Sequence, residues 1–325
     1  MLTAILLAAS AYTVRMVSLP APPAGGIYMD YLAYDPHTGF VWAPAGNTGA
    51  VDVVDTATDK VTKIGDFATK EVTVRNGKRT IGPTSATVGK GVVYIGNRAD
   101  NKICAYDART LKQRNCGEID SMPDGLAYSA ATNEVWVTAP RDNSLRILDG
   151  DTLHQSSKMT YEGNPEGFAV DAKRGRFYTN LENKDLTLAI DLRSHRTVAT
   201  WHPNCGEDGP HGIRLDEKSG LLFVACSAKA EVMDVGHNGE IRSSIDTGDG
   251  VDDIDYAPAT HKLYVGAARA GKLTIAKVDP AGKLTVIEEV PTHAGARNGV
   301  VTKNGTVYLA HSGTELRDLV VVAPK

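Results

Sequence analysis

Seven polar residues recur along the chain at intervals of 40 to 54 residues, each at the start of a short apolar run. In chain order they are Asp30, Thr84, Asp124, Glu166, His211, Asp252 and Asn298. Carboxylate and amide oxygens are typical ligands of Ca²⁺, and a histidine nitrogen in such a set favours manganese, zinc or iron. If the fold brings the seven together, they form a ring with the chemistry of a divalent-cation site.

Four members of this ring are acidic. Carboxylates that converge in one channel repel one another unless they bind a cation, share protons or stay hydrated. We therefore predict a divalent cation as cofactor, with calcium favoured and manganese, magnesium or zinc as alternatives. The predicted ligands are Asp124, Glu166, Asp252 and Asn298, and His211 is either a further ligand or a general base. The open alternative is a hydrated ring that only binds waters and anchors loops.

The ring residues mark a repeat. Each unit has a short strand, a turn rich in Gly, Asn, Lys or Thr, a second strand with aromatic or β-branched residues, and two further strand-like runs. A period in the low forties is typical of one four-stranded propeller blade, and stretches with helical periodicity are absent from the sequence. The sequence thus predicts an all-β, seven-bladed β-propeller over residues 12–325, in which the ring residues open the innermost strands.

The two ends of the chain complement each other. The last unit ends with DLVVVAP and lacks a fourth strand, whereas YTVRMVSLP near the N-terminus precedes the first unit and alternates like a strand. We predict that this N-terminal strand is the outer strand of the last blade and closes the ring. The long first interval requires an insertion, and EVTVRNGKRT (71–80) is predicted to form an extra hairpin or a long loop.

Other side chains follow the second strands of the units and are expected at the same mouth of the channel. Arginines there suit an anionic substrate or a product carboxylate, and a histidine suits a general base acting on water. The predicted general bases are His211 and His311. The predicted substrate-binding residues are Asp30, Thr84, Arg98, Arg141, Arg269 and Arg297.

The four cysteines predict export. Cys104 and Cys116 flank the centre of a predicted hairpin, while Cys205 lies in a loop and Cys226 ends a neighbouring strand. Two disulfides, Cys104–Cys116 and Cys205–Cys226, would place the protein in an oxidising compartment, periplasmic or secreted; four free buried thiols are the alternative. The apolar, small-residue start of the chain, residues 1–11, is predicted to be the remnant of a secretory signal.

Charge limits the kinds of partner. The formal net charge is −4 and the sequence has no run of lysines and arginines, so neither a nucleic-acid partner nor an anionic membrane is predicted. No apolar segment approaches the length of a membrane span. The predicted partner is a small molecule, with a protein as the alternative.

Two repeats, GFVWAPAGNTGAVDVVDTATDKV and NEVWVTAPRDNSLRILDGDTL, resemble the YVTN (YncE-type) seven-bladed propellers, although the YVTN tetrapeptide itself is absent. The resemblance extends over nearly the whole chain and implies the fold. Asp124-Gly125, Glu166-Gly167 and Asn298-Gly299 are locally similar to openings in gluconolactonase and paraoxonase propellers, where such residues bind a catalytic calcium. His211 stands where those proteins have an oxygen ligand.

Three functional hypotheses follow. The leading one is a metal-dependent hydrolase of the lactonase type that acts on a small ester or lactone, such as an acyl-homoserine lactone or a sugar lactone. The second is an exported propeller that binds a small ligand or a protein without catalysis. The third is a metal-dependent lyase similar to the streptogramin-cleaving propellers; elimination leaves a double bond, whereas hydrolysis adds water.

Overall fold

The inner strands of seven sheets form a closed ring, in which each inner strand contacts the inner strand of the next sheet and the seventh contacts the first. The computed structural model describes residues 10–20, 25–74, 77–313 and 315–325. The fold is the all-β, seven-bladed propeller that the sequence predicts. Residues 1–9 of the predicted signal remnant lie outside the described residues.

Each blade is a four-stranded antiparallel sheet whose strands run outward from the channel in chain order. Blade 1 contains β2 (Ala33–Asp35), β3 (Phe40–Ala45), β4 (Ala50–Asp55) and β5 (Val61–Ile64). A separate hairpin of β6 (Lys70–Val74) and β7 (Gly77–Ile81) follows. Blade 2 contains β8 (Pro83–Val88), β9 (Val92–Asn97), β10 (Lys102–Asp107) and β11 (Gln113–Glu118). Blade 3 contains β12 (Leu126–Ser129), β13 (Glu134–Ala139), β14 (Ser144–Asp149) and β15 (Gln155–Thr160).

The remaining blades follow the same order. Blade 4 contains β16 (Pro165–Asp171), β17 (Arg176–Leu181), β18 (Leu186–Asp191) and β19 (Thr197–Trp201). Blade 5 contains β20 (Pro210–Asp216), β21 (Leu221–Cys226), β22 (Lys229–Asp234) and β23 (Glu240–Asp246). Blade 6 contains β24 (Ile254–Ala257), β25 (Lys262–Ala267), β26 (Lys272–Val278) and β27 (Leu284–Pro291). Blade 7 contains β28 (Ala296–Val301), β29 (Val307–His311), β30 (Asp318–Pro324) and, as its outer strand, β1 (Tyr12–Ser18).

The ring closes as predicted. β1 pairs antiparallel with β30 along its whole length, from Tyr12 opposite Pro324 to Ser18 opposite Asp318. The hydrogen bonds of this pairing hold the two ends of the chain together and cover the edge that β30 would otherwise expose. The insertion is also confirmed as a hairpin, with Val72 of β6 directly opposite Arg79 of β7.

The core lies between the blades, where the apolar side chains of one sheet pack on those of the next. Trp136 of blade 3 stacks on Phe177 of blade 4, with ring centroids 4.4 Å apart, and both are fully buried. Trp42 of blade 1 packs in the same way against Val93 and Ile95 of blade 2. This explains why the second strand of each repeat carries large apolar residues.

Repeated aspartates fix the turns between the third and fourth strands. Asp107, Asp149 and Asp191 each end a third strand, and their carboxylates accept hydrogen bonds from backbone N–H groups two and three residues ahead. Such turns set the register of each hairpin locally. No helix among the described residues is long and apolar enough to cross a membrane.

Both predicted disulfides are present. Cys104 of β10 lies directly opposite Cys116 of β11, and Cys205 in the loop before β20 joins Cys226 at the end of β21. The second bridge anchors the loop that leads to His211, and Asp185 reinforces it by accepting a hydrogen bond from the backbone N–H of Cys205.

Loss of either bridge is expected to cost about 3 kcal/mol of unfolding free energy, because the bridges close loops of 12 and 21 residues. Urea unfolding of the Cys104→Ser/Cys116→Ser and Cys205→Ser/Cys226→Ser double variants measures this. A free energy of unfolding equal to that of the wild type would show that the bridge in question does not stabilise the fold.

Candidate functional site

β-Bulges in the inner strands set the direction of the ring side chains. The pairing register shifts at Thr84 in β8, beside Glu166 in β16, at His211 in β20 and at Asn298 in β28. A β-bulge leaves a residue outside the ladder and redirects its side chain. The other three ring residues, Asp30, Asp124 and Asp252, lie just before the inner strands β2, β12 and β24. All seven therefore lie at one end of the inner strands.

Steric contact explains why a glycine, Gly167, follows Glu166. Gly167 has a φ of +67°, and a Cβ at this position would collide with the carbonyl oxygen of His211 in the next blade. Only glycine allows the inner strands of blades 4 and 5 to approach so closely with this backbone conformation. The close approach brings Glu166 and His211 together across the boundary between the blades.

Glu166, His211 and Asp252 form the acid–histidine cluster. Each offers a ligand atom, and the three atoms all lie within 4.8 Å of one another. The residues come from three consecutive blades and are each partly buried. Two carboxylates and one imidazole at this separation have the composition of a site for a divalent transition metal.

A fourth group, Glu182, completes the surroundings of His211. Glu182 opens a single 3₁₀ turn, Glu182–Lys184, directly after β17. Its Oε1 lies 3.3 Å from Nδ1 of His211, and the Oγ of Ser227 lies 3.1 Å from Nε2. Nδ1 is buried and makes no hydrogen bond of good geometry. Glu182 follows the second strand of its blade, and it is not among the residues to which the sequence pattern assigns a role.

The two glutamates titrate in opposite directions. Burial, together with the nearby charges of Asp252, Glu182 and Asp30, raises the pKa of Glu166 well above its usual range. The contact with His211 lowers the pKa of Glu182. Glu166 therefore keeps its proton to a higher pH than an ordinary glutamate, and Glu182 loses its proton at a lower pH.

Asn298 links two carboxylates of the ring. Its Nδ2 donates to Asp252 Oδ2 at 2.7 Å and to Asp30 Oδ1 at 3.0 Å. Its Oδ1 accepts the backbone N–H of Asp253 at 3.0 Å, which fixes the orientation of the amide. The amide oxygen that was predicted to bind a metal is thus engaged by the backbone, and Asn298 positions Asp252.

Asp124 lies apart from the cluster. Arg98 Nη2 forms an ion pair with Asp124 and another with Asp30, the latter at 2.8 Å. Asp124 is therefore neutralised by an arginine and is not one of the three clustered groups. Thr84 is buried, and its Oγ1 has no hydrogen-bond partner among the described residues.

The other predicted residues are placed as follows. Arg297 lies at the cluster, with its Nη2 3.2 Å from Asp252 Oδ2. Arg141 lines a pocket together with Arg98. Arg269 is 65% exposed on the rim, where it pairs with Asp249. His311 is buried, and its ring nitrogens contact Asp318 Oδ1 at 2.6 Å and the carbonyl oxygen of Ala294 at 3.1 Å. Neither nitrogen of His311 is free to act on a substrate in this arrangement.

Aromatic residues and a buried charge group line the channel beyond the cluster. Tyr31 and Phe168 follow ring residues in blades 1 and 4, and their ring centroids are 5.3 Å apart. They border a cavity of about 430 Å³ together with Arg214 and Asp255. Arg214 bonds Asp253 at 2.9 Å and Asp255 at 3.1 Å. The channel thus has an acidic mouth and, in its interior, one arginine paired with two aspartates.

No protein-family model and no curated protein matches the sequence. Solved structures of low sequence identity share the fold. A chain of the mitotic checkpoint complex has 13% identity and a TM-score of 0.76, with 95% of this chain and 90% of that chain covered. A streptogramin B lyase has 14% identity and a TM-score of 0.76, with 97% of this chain and 98% of that chain covered.

A virginiamycin B lyase from Staphylococcus aureus has 15% identity and a TM-score of 0.73, with 96% of this chain and 99% of that chain covered. The chain is a seven-bladed β-propeller. This finding is consistent with the resemblance to YVTN/YncE-type propellers. At these identities the likeness shows the fold alone, because proteins of unrelated function share it.

Proposed function

We propose that the protein is a divalent-metal-dependent enzyme that cleaves a small ester or lactone at the acid–histidine cluster. The observation that carries the proposal is the convergence of Glu166, His211 and Asp252 within 4.8 Å. A nitrogen donor beside two carboxylates favours manganese or zinc over calcium, the ion favoured from the sequence pattern. Asp124 and Asn298, both expected as ligands, are replaced in this proposal by His211.

Two details of the cluster support a metal. The buried Nδ1 of His211 lacks a hydrogen bond, as expected of a nitrogen available to a ligand. Glu182 Oε1 lies 3.3 Å from the same nitrogen and places a further carboxylate beside it. Burial and the charges of the neighbouring acids raise the pKa of Glu166, and a bound cation would remove the repulsion among these acids.

A bound divalent ion would supply Lewis acidity to polarise the ester carbonyl. The protein's own groups orient the site: Asn298 and Arg297 hold Asp252, and Ser227, 3.1 Å from Nε2, holds the ring of His211. Arg297, 37% exposed beside Asp252, is suited to contact the carboxylate that cleavage releases.

The reaction is tested with a panel of acyl-homoserine lactones, sugar lactones and simple esters, incubated with the protein and Mn²⁺ or Zn²⁺ or with a chelator. We expect metal-dependent turnover in which a lactone gives a hydroxy acid heavier than the substrate by one water, and a simple ester gives its acid and its alcohol. A ring-opened lactone product of unchanged mass that contains a new double bond would instead identify a lyase. Absence of turnover together with absence of metal binding would contradict the proposal and favour a non-enzymatic binding propeller.

We also infer that the protein works in an oxidising compartment, periplasmic or extracellular. The two disulfides support this inference, because such bridges persist where thiols are not kept reduced.

A further inference from the structure

The inserted hairpin presents two different faces. Val72 lies opposite Arg79 and Lys70 lies opposite Ile81, so these four side chains share one face. Lys78 belongs to the other face, where it pairs with Glu71 and is 70% exposed. The first face is turned toward blades 2 and 3, because Val72, Arg79 and Ile81 line a pocket together with residues of those blades.

This pocket, which we call the arginine pocket, has a volume of about 200 Å³. The hairpin contributes Arg79, blade 2 contributes Arg98, and the segment after β13 contributes Arg141. Asp124, which pairs with Arg98, and a set of apolar residues complete the lining: Val72, Val74, Ile81, Met122, Pro123 and Pro140. The pocket therefore combines guanidinium groups with an apolar wall.

Three arginines face two nearby acids, so their charge is only partly balanced. Asp30 and Asp124 both pair with Arg98, which leaves the hydrogen-bond donors of Arg79 and Arg141 available to a ligand. Arg79 Nε is buried and has no hydrogen-bond partner among the described residues, and its guanidinium lies 5.6 Å from the ring centroid of Tyr28. Burial and the charges of Arg98 and Arg141 lower the pKa of Arg79, a sign of mutual repulsion. An anion would relieve that repulsion.

Hydrogen bonds connect the pocket to the channel mouth. Arg98 contacts Asp30, Asn298 donates to Asp30, and the same amide donates to Asp252 of the acid–histidine cluster. A ligand in the arginine pocket would therefore lie under the hairpin and be linked to the cluster through these hydrogen bonds.

We propose that the arginine pocket binds the carboxylate of a small organic acid whose apolar tail packs against the hairpin and Met122. Guanidinium groups bind carboxylates through paired, charge-assisted hydrogen bonds. The apolar wall selects against small hydrated anions, which gain nothing from it. The site does not require a metal.

The test uses metal-free, chelator-treated protein and hexanoate as the probe, with ligand-observed NMR titrations to determine Kd. Hexanamide has the same tail without the charge, and acetate has the charge with only a methyl group. We expect both to bind at least about tenfold more weakly than hexanoate, the ratio that corresponds to about 1.4 kcal/mol. Arg79→Gln and Arg141→Gln are each expected to weaken hexanoate binding by a similar factor.

Lys78→Gln is the matched control, because it removes one positive charge from the opposite face of the same hairpin. It should bind hexanoate like the wild type. Equal affinity for hexanoate and hexanamide, equal affinity for hexanoate and acetate, or unchanged binding by both arginine variants would overturn the proposal. Since the titrations exclude metal, their failure leaves the metal-site proposal standing, and loss of metal binding does not affect them.

Discussion

Glu166→Gln is expected to abolish metal binding while it stabilises the metal-free protein. The substitution removes one of three clustered ligand groups. Mutation of a residue that only orients a metal ligand commonly lowers metal affinity by up to about 100-fold, so loss of a ligand should lower it by more than about 100-fold. Metal-dependent turnover should fall accordingly. The amide has nearly the shape of the protonated glutamate, so the fold is retained.

The stability effect has a defined pH dependence. The folded protein keeps the Glu166 proton, whereas the unfolded chain releases it above a pKa of about 4.5. The favourable contribution of that proton is therefore fully present at low pH and is lost as the pH rises toward the raised pKa of the folded state. A glutamine does not titrate, so the melting temperature of the metal-free variant should exceed that of the wild type by a few degrees at pH 8 and match it near pH 4.

Glu231→Gln is the matched control. Glu231 is also a buried glutamate whose pKa is raised by burial, but it lies on β22 and pairs with Lys229, outside the cluster. This variant should bind metal like the wild type. Calorimetric titration measures the metal affinity of both variants, and thermal melts measure their stability. Equal metal affinity in Glu166→Gln and the wild type would show that Glu166 is not a ligand.

Arg214→Met is expected to destabilise the protein by about 2 to 4 kcal/mol at pH 8. It leaves Asp253 and Asp255 inside the channel without their partner, and removal of one member of a buried ion pair commonly costs about 3 to 5 kcal/mol. The expected loss of unfolding free energy is smaller than this usual cost because 23% of the Arg214 side chain is exposed.

The loss should be smaller at pH 5. Burial raises the pKa of Asp253 to about 6 even beside Arg214, and it also raises that of Asp255. Without the arginine both pKa values rise further, so the acids protonate in the folded variant and the stability lost with rising pH returns on acidification. Urea unfolding at the two pH values measures the difference. Arg269→Met, which removes a 65% exposed arginine from the rim, should leave the free energy of unfolding close to that of the wild type at both pH values. A cost for Arg214→Met that does not vary with pH would contradict this account.

The fold was predictable because the same strand pattern recurs in seven units of the sequence. Seven strand openings at nearly constant spacing determine the blades, the position of the ring residues and the need for β1 to complete the last sheet. The disulfide pairing followed from the same strand geometry. These features depend on the period of the pattern, which single residues do not disturb.

The contacts within the ring were not predictable from that period. The repeat places Asn298 and Asp124 at the channel mouth. At the bulge, however, the side-chain oxygen of Asn298 accepts the backbone N–H of Asp253. Asp124 forms an ion pair with Arg98 of the preceding blade. His311 lies at a strand end, as expected, yet Asp318 of the adjacent strand binds its ring. Such choices depend on side-chain partners across strands, and the role of Glu182 emerges only from its distance to His211.

The most direct measurement is a calorimetric titration of the metal-free wild type with Mn²⁺ and Zn²⁺ near neutral pH, in two buffers of different ionisation enthalpy. We expect one saturable site per chain and an affinity that rises with pH, because the cation competes with protons for Glu166, whose pKa is raised. The difference in heat between the two buffers measures the protons released on binding. Absence of saturable binding, or an affinity that does not rise with pH, would contradict the assignment of the acid–histidine cluster as a metal site.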